Sequence, residues 1–385
     1  MPESTTPTSS DGDDEIPVVD LREGDAACAR AIGAACSSLG FFKLVGHDLG
    51  DGGEGRALFE GTRAFFRQGQ DAKERHKGPG LEPMGYQSAV LDDIRLDPKG
   101  QKLPDQREQI KFGRSYYVGD VRPFLGGGDA NAVDDAAATA PNPESSNGAA
   151  EEDGDSSQAL VWITHDGVDD AWRARVESYF ARVERLGCRL VRLVALSLGL
   201  DPTFFDACFD RALALLNFNF YHATPSDCAA GKLGCGSHTD YGMLTLLATD
   251  AVPGLQVCRD KSKPAGDREW IDVSPPPSDL AFLVVNVGDM LEHWTNGHYV
   301  SNLHRVVNAT GKERVSAAFF FEPNANARIT PLLKSGVDQA TTALWQTRGE
   351  GGNGGEGGQG GESKYGEVVY GDWLAMKFRD SGEVA

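Results

Sequence analysis

Several features that define other classes of protein are missing from this chain of 385 residues. Its seven cysteines are an odd number without a Cys-x-x-Cys pair, which argues against a disulfide framework and predicts reduced thiols. No apolar run approaches the length of a membrane span. Residues 1–15 are polar and acidic, unlike a secretory signal or an Arg-rich transit peptide. We therefore expect a cytoplasmic protein with no membrane partner.

Basic residues are also scarce. The chain has 37 Lys and Arg against 57 Asp and Glu, a net charge of −20, which argues against nucleic acid as a partner because a phosphate backbone demands a basic face. Residues 126–158 hold eight acidic residues, no Lys or Arg, and no periodic apolar face. We predict a disordered acidic insertion there, a Gly-rich insertion at 349–361, and a disordered leader at 1–14.

The remaining sequence predicts an α+β fold with a mainly β core. Short strands are expected at 16–21 and 41–45, and helices at 26–39 and 58–66. The clearest helix follows Asp169, because its apolar residues recur every three or four positions up to Gly199. Short β-rich runs separated by turn residues follow at 213–221, 243–249, 255–257, 270–273, 282–287, 303–307 and 315–321. This order predicts a helical N-terminal half packed on a jelly roll.

Three residues far apart in sequence form a candidate metal site: His238 and Asp240 in His-Thr-Asp, and His304 in Leu-His-Arg-Val-Val. Two imidazoles and one carboxylate can bind iron(II) on one face and leave the opposite positions open. His238 and Asp240 are two apart, so on a strand they would share a face. The set includes no thiolate, which disfavours a structural zinc site. His293 is the best competing histidine, since it lies near His304 in sequence.

A candidate carboxylate clamp follows the metal motif. Arg314 and Ser316 are also two apart and would share a face of the strand. A guanidinium can hold a carboxylate through two charge-assisted hydrogen bonds, and the serine hydroxyl adds a third donor. Tyr221, at the end of an earlier strand, could supply another hydroxyl. A redox metal beside such a clamp is the arrangement of an oxygenase.

These residues are recognisable as a set. Over nearly its whole length, apart from the leader and the two insertions, the chain resembles the iron(II)- and 2-oxoglutarate-dependent dioxygenase superfamily. The likeness is to the branch that includes isopenicillin N synthase and the plant flavonoid, gibberellin and ethylene-forming oxygenases. The motifs that carry it are Ile16-Pro17-Val18-Val19-Asp20-Leu21, Gly40-Phe41-Phe42-Lys43-Leu44-Val45-Gly46-His47, Asn219-Phe220-Tyr221, His238-Thr239-Asp240-Tyr241-Gly242, Asn286-Val287-Gly288-Asp289-Met290, Trp294-Thr295-Asn296-Gly297, Ser301-Asn302-Leu303-His304-Arg305-Val306, Arg314-Val315-Ser316 and Lys364-Tyr365-Gly366. His222 departs from the pattern, because the family usually has proline there.

The resemblance implies a double-stranded β-helix with iron(II) held by the catalytic residues His238, Asp240 and His304. Arg314, Ser316, Tyr221 and Asn219 would bind 2-oxoglutarate. The implied regions are 15–125 (N-terminal non-haem dioxygenase region), 159–212 (helical connector), 213–330 (jelly-roll core) and 331–385 (C-terminal segment). Oxygen would be the oxidant, with ascorbate as a candidate reductant. The products would be succinate, carbon dioxide and a hydroxylated or desaturated small molecule, and we expect a monomer.

Three alternatives remain open at this point. An oxidase of the same fold that does not use 2-oxoglutarate can also carry Arg-x-Ser, as isopenicillin N synthase does. A metal-binding sensor without turnover would bind iron but consume no oxygen. A zinc hydrolase would need a general base near the open site and gains nothing from Arg314 and Ser316. The residues leave the identity of the substrate open.

Overall fold

The computed structural model describes residues 16–50, 52–78, 84–88, 107–121, 124, 159–223, 233–332 and 363–381. The predicted leader (1–14), acidic insertion (126–158) and Gly-rich insertion (349–361) lie outside these residues. The helices of the described part are α1 (Asp25–Ser38), α2 (Gly52–Phe66), α3 (Gln70–Glu74), α4 (Tyr116–Val121), α5 (Asp170–Ser197), α6 (Asp289–Trp294) and α7 (Tyr370–Ser381).

Two facing sheets form the β core. The strands are β1 (Val18–Asp20), β2 (Phe41–Val45), β3 (Gly85–Gln87), β4 (Arg107–Gly113), β5 (Leu213–Tyr221), β6 (Cys235–His238), β7 (Leu244–Thr249), β8 (Leu255–Cys258), β9 (Trp270–Asp272), β10 (Leu283–Val287), β11 (His304–Val306), β12 (Arg314–Glu322), β13 (Arg328–Ile329) and β14 (Val368–Val369). The larger sheet has the order β1-β2-β10-β7-β12-β5-β4-β3, and the smaller has β6-β11-β8-β9. The predicted jelly roll with a helical portion is confirmed.

The N-terminal half contributes more than helices. Four strands of the larger sheet, β1 to β4, come from the first 113 residues. β1 runs parallel to β2, whereas the other pairs of this sheet are antiparallel. β3 and β4 extend the sheet beyond β5, and neither strand was predicted from the sequence. The large sheet is therefore built jointly by both halves of the chain.

β5 shows how the two faces of the large sheet differ. Its Leu216, Phe218 and Phe220 belong to the main core that the sheet shares with the helices. The alternate residues Asn217, Asn219 and Tyr221 face the smaller sheet, because successive side chains of a strand point to opposite faces. A second, smaller apolar cluster fills the space between the sheets. Each large side chain buried in these cores contributes about 1.5–3 kcal/mol, so the helices are fixed firmly against one face.

α5 is the predicted long helix, and its start has a clear local cause. The Asp169 carboxylate caps the helix by accepting from the backbone N–H of Trp172 at 2.8 Å. The Trp172 indole then donates to the Thr62 hydroxyl of α2 at 3.1 Å. α2 begins at Gly52, ahead of the predicted start at residue 58; its first turn is rich in glycine, which disfavours a helix and hid the true start in the sequence. Among the helices of the described residues, none is long and apolar enough to cross a membrane.

Candidate active site

The three predicted metal ligands lie together at one end of the two facing sheets. His238 ends β6 and His304 begins β11, and the two are directly opposite in the antiparallel pair. The Oδ1 atom of Asp240 lies 3.7 Å from Nε2 of His238 and 3.6 Å from Nε2 of His304. All three ligand atoms lie within 4.8 Å of one another. This spacing suits three atoms that surround one ion.

The predicted placement of Asp240 on the same strand as His238 was wrong. β6 ends at His238, and Asp240 lies in the turn that follows. The carbonyl of Asp240 accepts from the backbone N–H of Asp289 at 2.7 Å, which anchors this turn to the start of α6. Strand alternation therefore did not bring the carboxylate to the imidazoles; the folded turn did.

The hydrogen bonds of the three residues use Oδ2 of Asp240 and the Nδ1 atoms of the histidines. Oδ1 and the two Nε2 atoms are thereby left to bind a metal. Oδ2 of Asp240 accepts from the Thr245 hydroxyl at 2.6 Å and from the Asn286 amide at 2.7 Å, while Oδ1 faces the imidazoles. Nδ1 of His238 lies 2.8 Å from the Gly236 carbonyl. Nδ1 of His304 likewise lies 3.4 Å from a backbone carbonyl, that of residue 302. Each Nδ1–H can therefore donate outward while Nε2 points inward, as metal-bound histidines do.

The titration behaviour of His304 and Asp240 fits a cation between the three residues. At His238, burial disfavours the charged form, but Cys235 and Asp240 outweigh it and raise its pKa to about 10, so metal binding there must displace a proton. Burial, together with the neighbouring imidazole of His238, lowers the pKa of His304 to about 4, which keeps it neutral at pH 7. Burial opposes the charged form of Asp240, but the two imidazoles and its two hydrogen-bond donors outweigh burial and lower its pKa. The side chain of His238 is 39% exposed, so the centre is approached from its side.

The predicted clamp residues lie on two adjacent strands. Arg314 of β12 is opposite Tyr221 of β5, and Ser316 is opposite Asn219. Arg314 is 1% exposed, and its guanidinium lies 5.0 Å from the centre of the Tyr221 ring. Nε of Arg314 donates to the Val252 carbonyl at 3.3 Å, whereas its buried Nη1 has no hydrogen-bond partner among the described residues. A buried guanidinium nitrogen without an acceptor fits a carboxylate ligand.

Tyr221 and Asn219 have different hydrogen-bond partners. Burial raises the pKa of Tyr221, so its hydroxyl keeps its proton, and it also hydrogen-bonds Ser316. The side-chain oxygen of Asn219 accepts from Nη1 of Arg107 on β4 at 3.1 Å. Asn219 is therefore held by a neighbouring arginine that the sequence analysis did not single out.

Three further residues of the site were missed as functional candidates. Thr245 and Asn286 orient the Asp240 carboxylate, and Arg107 lies beside Asn219. Asn286 belongs to one of the motifs that carry the family resemblance, so the sequence did contain a signal for this residue. His293, the competing histidine, is not at the centre, because its Nε2 lies 2.7 Å from the Gly366 carbonyl.

His222 has a structural role that explains its departure from the family pattern. Its Nε2 lies 2.8 Å from Oε1 of Glu108, on the helix-facing side of β4. Oε2 of the same carboxylate accepts from Lys73 and Tyr86, each at 2.5 Å. Burial disfavours the charged carboxylate, but the hydrogen bonds from these three residues outweigh it and lower the pKa of Glu108 to about 2. This group joins α3, β3 and β4 behind the site.

Comparisons with known proteins agree with this geometry. The model of the 2OG-Fe(II) oxygenase superfamily matches residues 212–323, and that of the non-haem dioxygenase in morphine synthesis N-terminal region matches residues 16–124. The chain is 30% identical to the 2-oxoglutarate-dependent dioxygenase citB of Monascus ruber over 350 residues, which cover 86% of this chain and 91% of the relative.

Solved structures show the same fold. A full-length Neurospora crassa protein in complex with alpha-KG has a TM-score of 0.67 at 22% identity, with 95% of this chain and 96% of that chain covered. The dioxygenase for auxin oxidation of rice has a TM-score of 0.61 at 25% identity, with 96% and 97% covered. The chain belongs to the 2OG-Fe(II) oxygenase superfamily, and it is a dioxygenase that uses Fe(II) and 2-oxoglutarate.

Proposed function

We propose that His238, Asp240 and His304 bind the iron, and that Arg314, Ser316 and Tyr221 bind the distal carboxylate of 2-oxoglutarate. The observation that carries this assignment is Oδ1 of Asp240, which lies within 3.7 Å of both inward-facing Nε2 atoms while Oδ2 is occupied by two donors. The buried Nη1 of Arg314 supports the clamp assignment.

The residues of the chain then perform distinct tasks. Oxygen is the oxidant: iron(II), when bound, would activate it, two electrons would come from 2-oxoglutarate, which is converted to succinate and carbon dioxide, and two from the substrate. Thr245 and Asn286 fix the Asp240 carboxylate, so that the ligand oxygen keeps its direction through turnover. The buried Arg314 fixes the orientation of the co-substrate, and the protonated Tyr221 adds a donor beside it. The exposed side of the metal site, next to His238, remains open for the substrate.

The substrate is a small organic molecule, as the family implies, and its hydroxylation or desaturation is part of the proposal. We also propose that the enzyme works as a cytoplasmic monomer with neither nucleic acid nor membrane as a partner. The free state of the six cysteines in the described residues supports a reducing compartment. The strongly acidic charge of −20 supports the absence of nucleic acid.

Oxygen uptake and succinate release test the proposed function without knowledge of the substrate. The purified enzyme with iron(II) and 2-oxoglutarate should decarboxylate the co-substrate slowly on its own. His304→Ala should abolish this activity, whereas the exposed His165→Ala serves as the matched control and should leave it unchanged. Oxygen uptake that does not depend on 2-oxoglutarate would support the oxidase alternative, and iron binding without oxygen uptake would support the sensor.

A further inference from the structure

The interior face of β4 carries an unusual row of polar side chains. Arg107, Gln109 and Lys111 alternate along this strand and so share one face. The same face of the neighbouring β5 carries Asn217 and Asn219, because Gln109 accepts from the Asn217 amide at 2.7 Å and Arg107 donates to Asn219. These contacts place the row in the space between the two sheets, where the candidate iron site also lies.

Arg107 lies beside the proposed clamp. It lies opposite Tyr221 in the β4–β5 pair, and its Nη1 lies 3.1 Å from the side-chain oxygen of Asn219. The strand register and this contact therefore place Arg107 beside Tyr221 and Asn219, on the face of the sheet that carries the clamp.

Of the two cations, Lys111 gives the stronger indication of an anionic ligand. It lies opposite Asn217 and is only 8% exposed. Within the part of the chain that the structure describes, no carboxylate lies within ion-pairing distance of its ammonium group. The nearest acidic residue along the strand, Glu108, points to the opposite face and is bound to Lys73. A buried charge without a counter-charge is costly, so such a residue indicates an anionic ligand.

The cofactors would not neutralise this charge. The two positive charges of iron(II), with that of Arg314, balance the two carboxylates of 2-oxoglutarate and the carboxylate of Asp240. Among the described residues, the charges of Arg107 and Lys111 are left over. Three strand spacings separate β4 from β7, which carries Thr245 of the iron site, and this amounts to about 14 Å between backbones. Along this face of the sheet, the row on β4 and the iron site are therefore about one small molecule apart.

We propose that Arg107 and Lys111 recognise the carboxylate of the substrate, and that the substrate is therefore a small organic acid. The inference rests on the proposed function, because it assumes that iron and 2-oxoglutarate occupy their sites. Lys111 supplies the buried point charge, and Arg107 supplies a planar fork that suits a carboxylate. The acidic end of the molecule lies against β4, and a C–H bond at its other end faces the iron.

Paired probes test this proposal. Benzoate, phenylacetate, cinnamate and hexanoate are each compared with the corresponding methyl ester, which keeps the carbon skeleton, removes the charge and adds one methyl group. Each probe is added anaerobically to the enzyme with iron(II) and 2-oxoglutarate, and its effect on the visible charge-transfer band is titrated; succinate release is then measured in air. At least one acid should perturb the band and bind about tenfold or more tightly than its ester. A panel in which no acid is preferred over its ester overturns the proposal.

Variants identify the residues responsible. Lys111→Met should weaken binding of the best acid by about 10- to 100-fold and leave its ester unaffected, while 2-oxoglutarate affinity stays within about twofold. Lys111→Arg should retain the preference for the acid, which separates loss of charge from misfolding. Arg211→Met, which removes an exposed arginine paired with Asp120, is the matched control. Unchanged acid binding in Lys111→Met contradicts the proposal. Absence of the band before any probe is added instead contradicts the proposed function.

Discussion

Arg314→Lys is the substitution that tests the clamp most specifically. The guanidinium is 1% exposed and lies 5.0 Å from the centre of the Tyr221 ring. It uses Nε to donate to the Val252 carbonyl, which leaves the buried Nη1 for a ligand. Lysine keeps the positive charge, but its ammonium cannot bond the backbone carbonyl and a carboxylate in the same planar geometry. The variant therefore isolates hydrogen-bond geometry from charge.

The expected loss follows from the bonds that the variant cannot make. One charge-assisted hydrogen bond contributes about 1.5–3 kcal/mol, which corresponds to an increase of roughly 10- to 100-fold in the dissociation constant of 2-oxoglutarate. Calorimetric titration with manganese(II) in place of iron(II) measures this constant without turnover. Manganese affinity should be unchanged, because Arg314 does not contact the three metal-binding residues.

The matched control is Arg305→Lys on β11. Arg305 also stacks on an aromatic ring, with its guanidinium 4.0 Å from the centre of Trp270, and its Nε donates to Gln256 at 2.7 Å. It therefore makes the same kinds of contact on the smaller sheet, in a more exposed position and without a predicted ligand. Equal 2-oxoglutarate affinity in wild type and Arg314→Lys would refute the clamp assignment. An equal loss in both variants would mean that the effect is not specific.

Three other substitutions probe the surroundings of the site. Thr245→Val removes a 2.6 Å hydrogen bond to Asp240 and should weaken metal binding by about 10- to 100-fold, measured by competition with a chelator. Glu108→Gln should cost about 3 kcal/mol of unfolding free energy above pH 4.5, since the pKa of Glu108 is lowered from 4.5 to about 2. That difference should shrink as the pH falls from 4.5 towards 2, because the carboxylate of the unfolded wild type then takes up a proton that the folded state does not bind; urea unfolding at pH 6 and pH 3 measures it. Gly288→Ala would press a Cβ against the backbone carbonyl of Gly242, so its melting temperature should fall markedly, and an unchanged value would contradict the packing described.

The sequence predicted β5 and β12 closely because both strands are long runs in which buried apolar residues predominate. β4 escaped prediction for a physical reason. Its Arg107, Gln109 and Lys111 share the face that carries the site, and its other face includes Glu108, so the strand lacks the usual apolar alternation. The polar character that concealed the strand is the same feature that indicates a ligand.

The candidate site was predictable in composition but not in its local geometry. The residue types and order of His238, Asp240 and His304 pointed to one metal site, and the structure brings them together. The position of Asp240 in a turn depends on contacts with α6 and on Asn286 of a distant strand. Such contacts depend on tertiary packing, which the spacing of two residues does not determine.

The most direct test of the central assignment is an anaerobic titration of the metal-free enzyme with iron(II) and then 2-oxoglutarate, monitored by visible absorption. Chelation of iron by the keto acid should produce a metal-to-ligand charge-transfer band in the wild type. The band should be absent in His304→Ala and present in His165→Ala. A wild-type enzyme that binds iron without forming the band, or a His304→Ala variant that still forms it, would contradict the account.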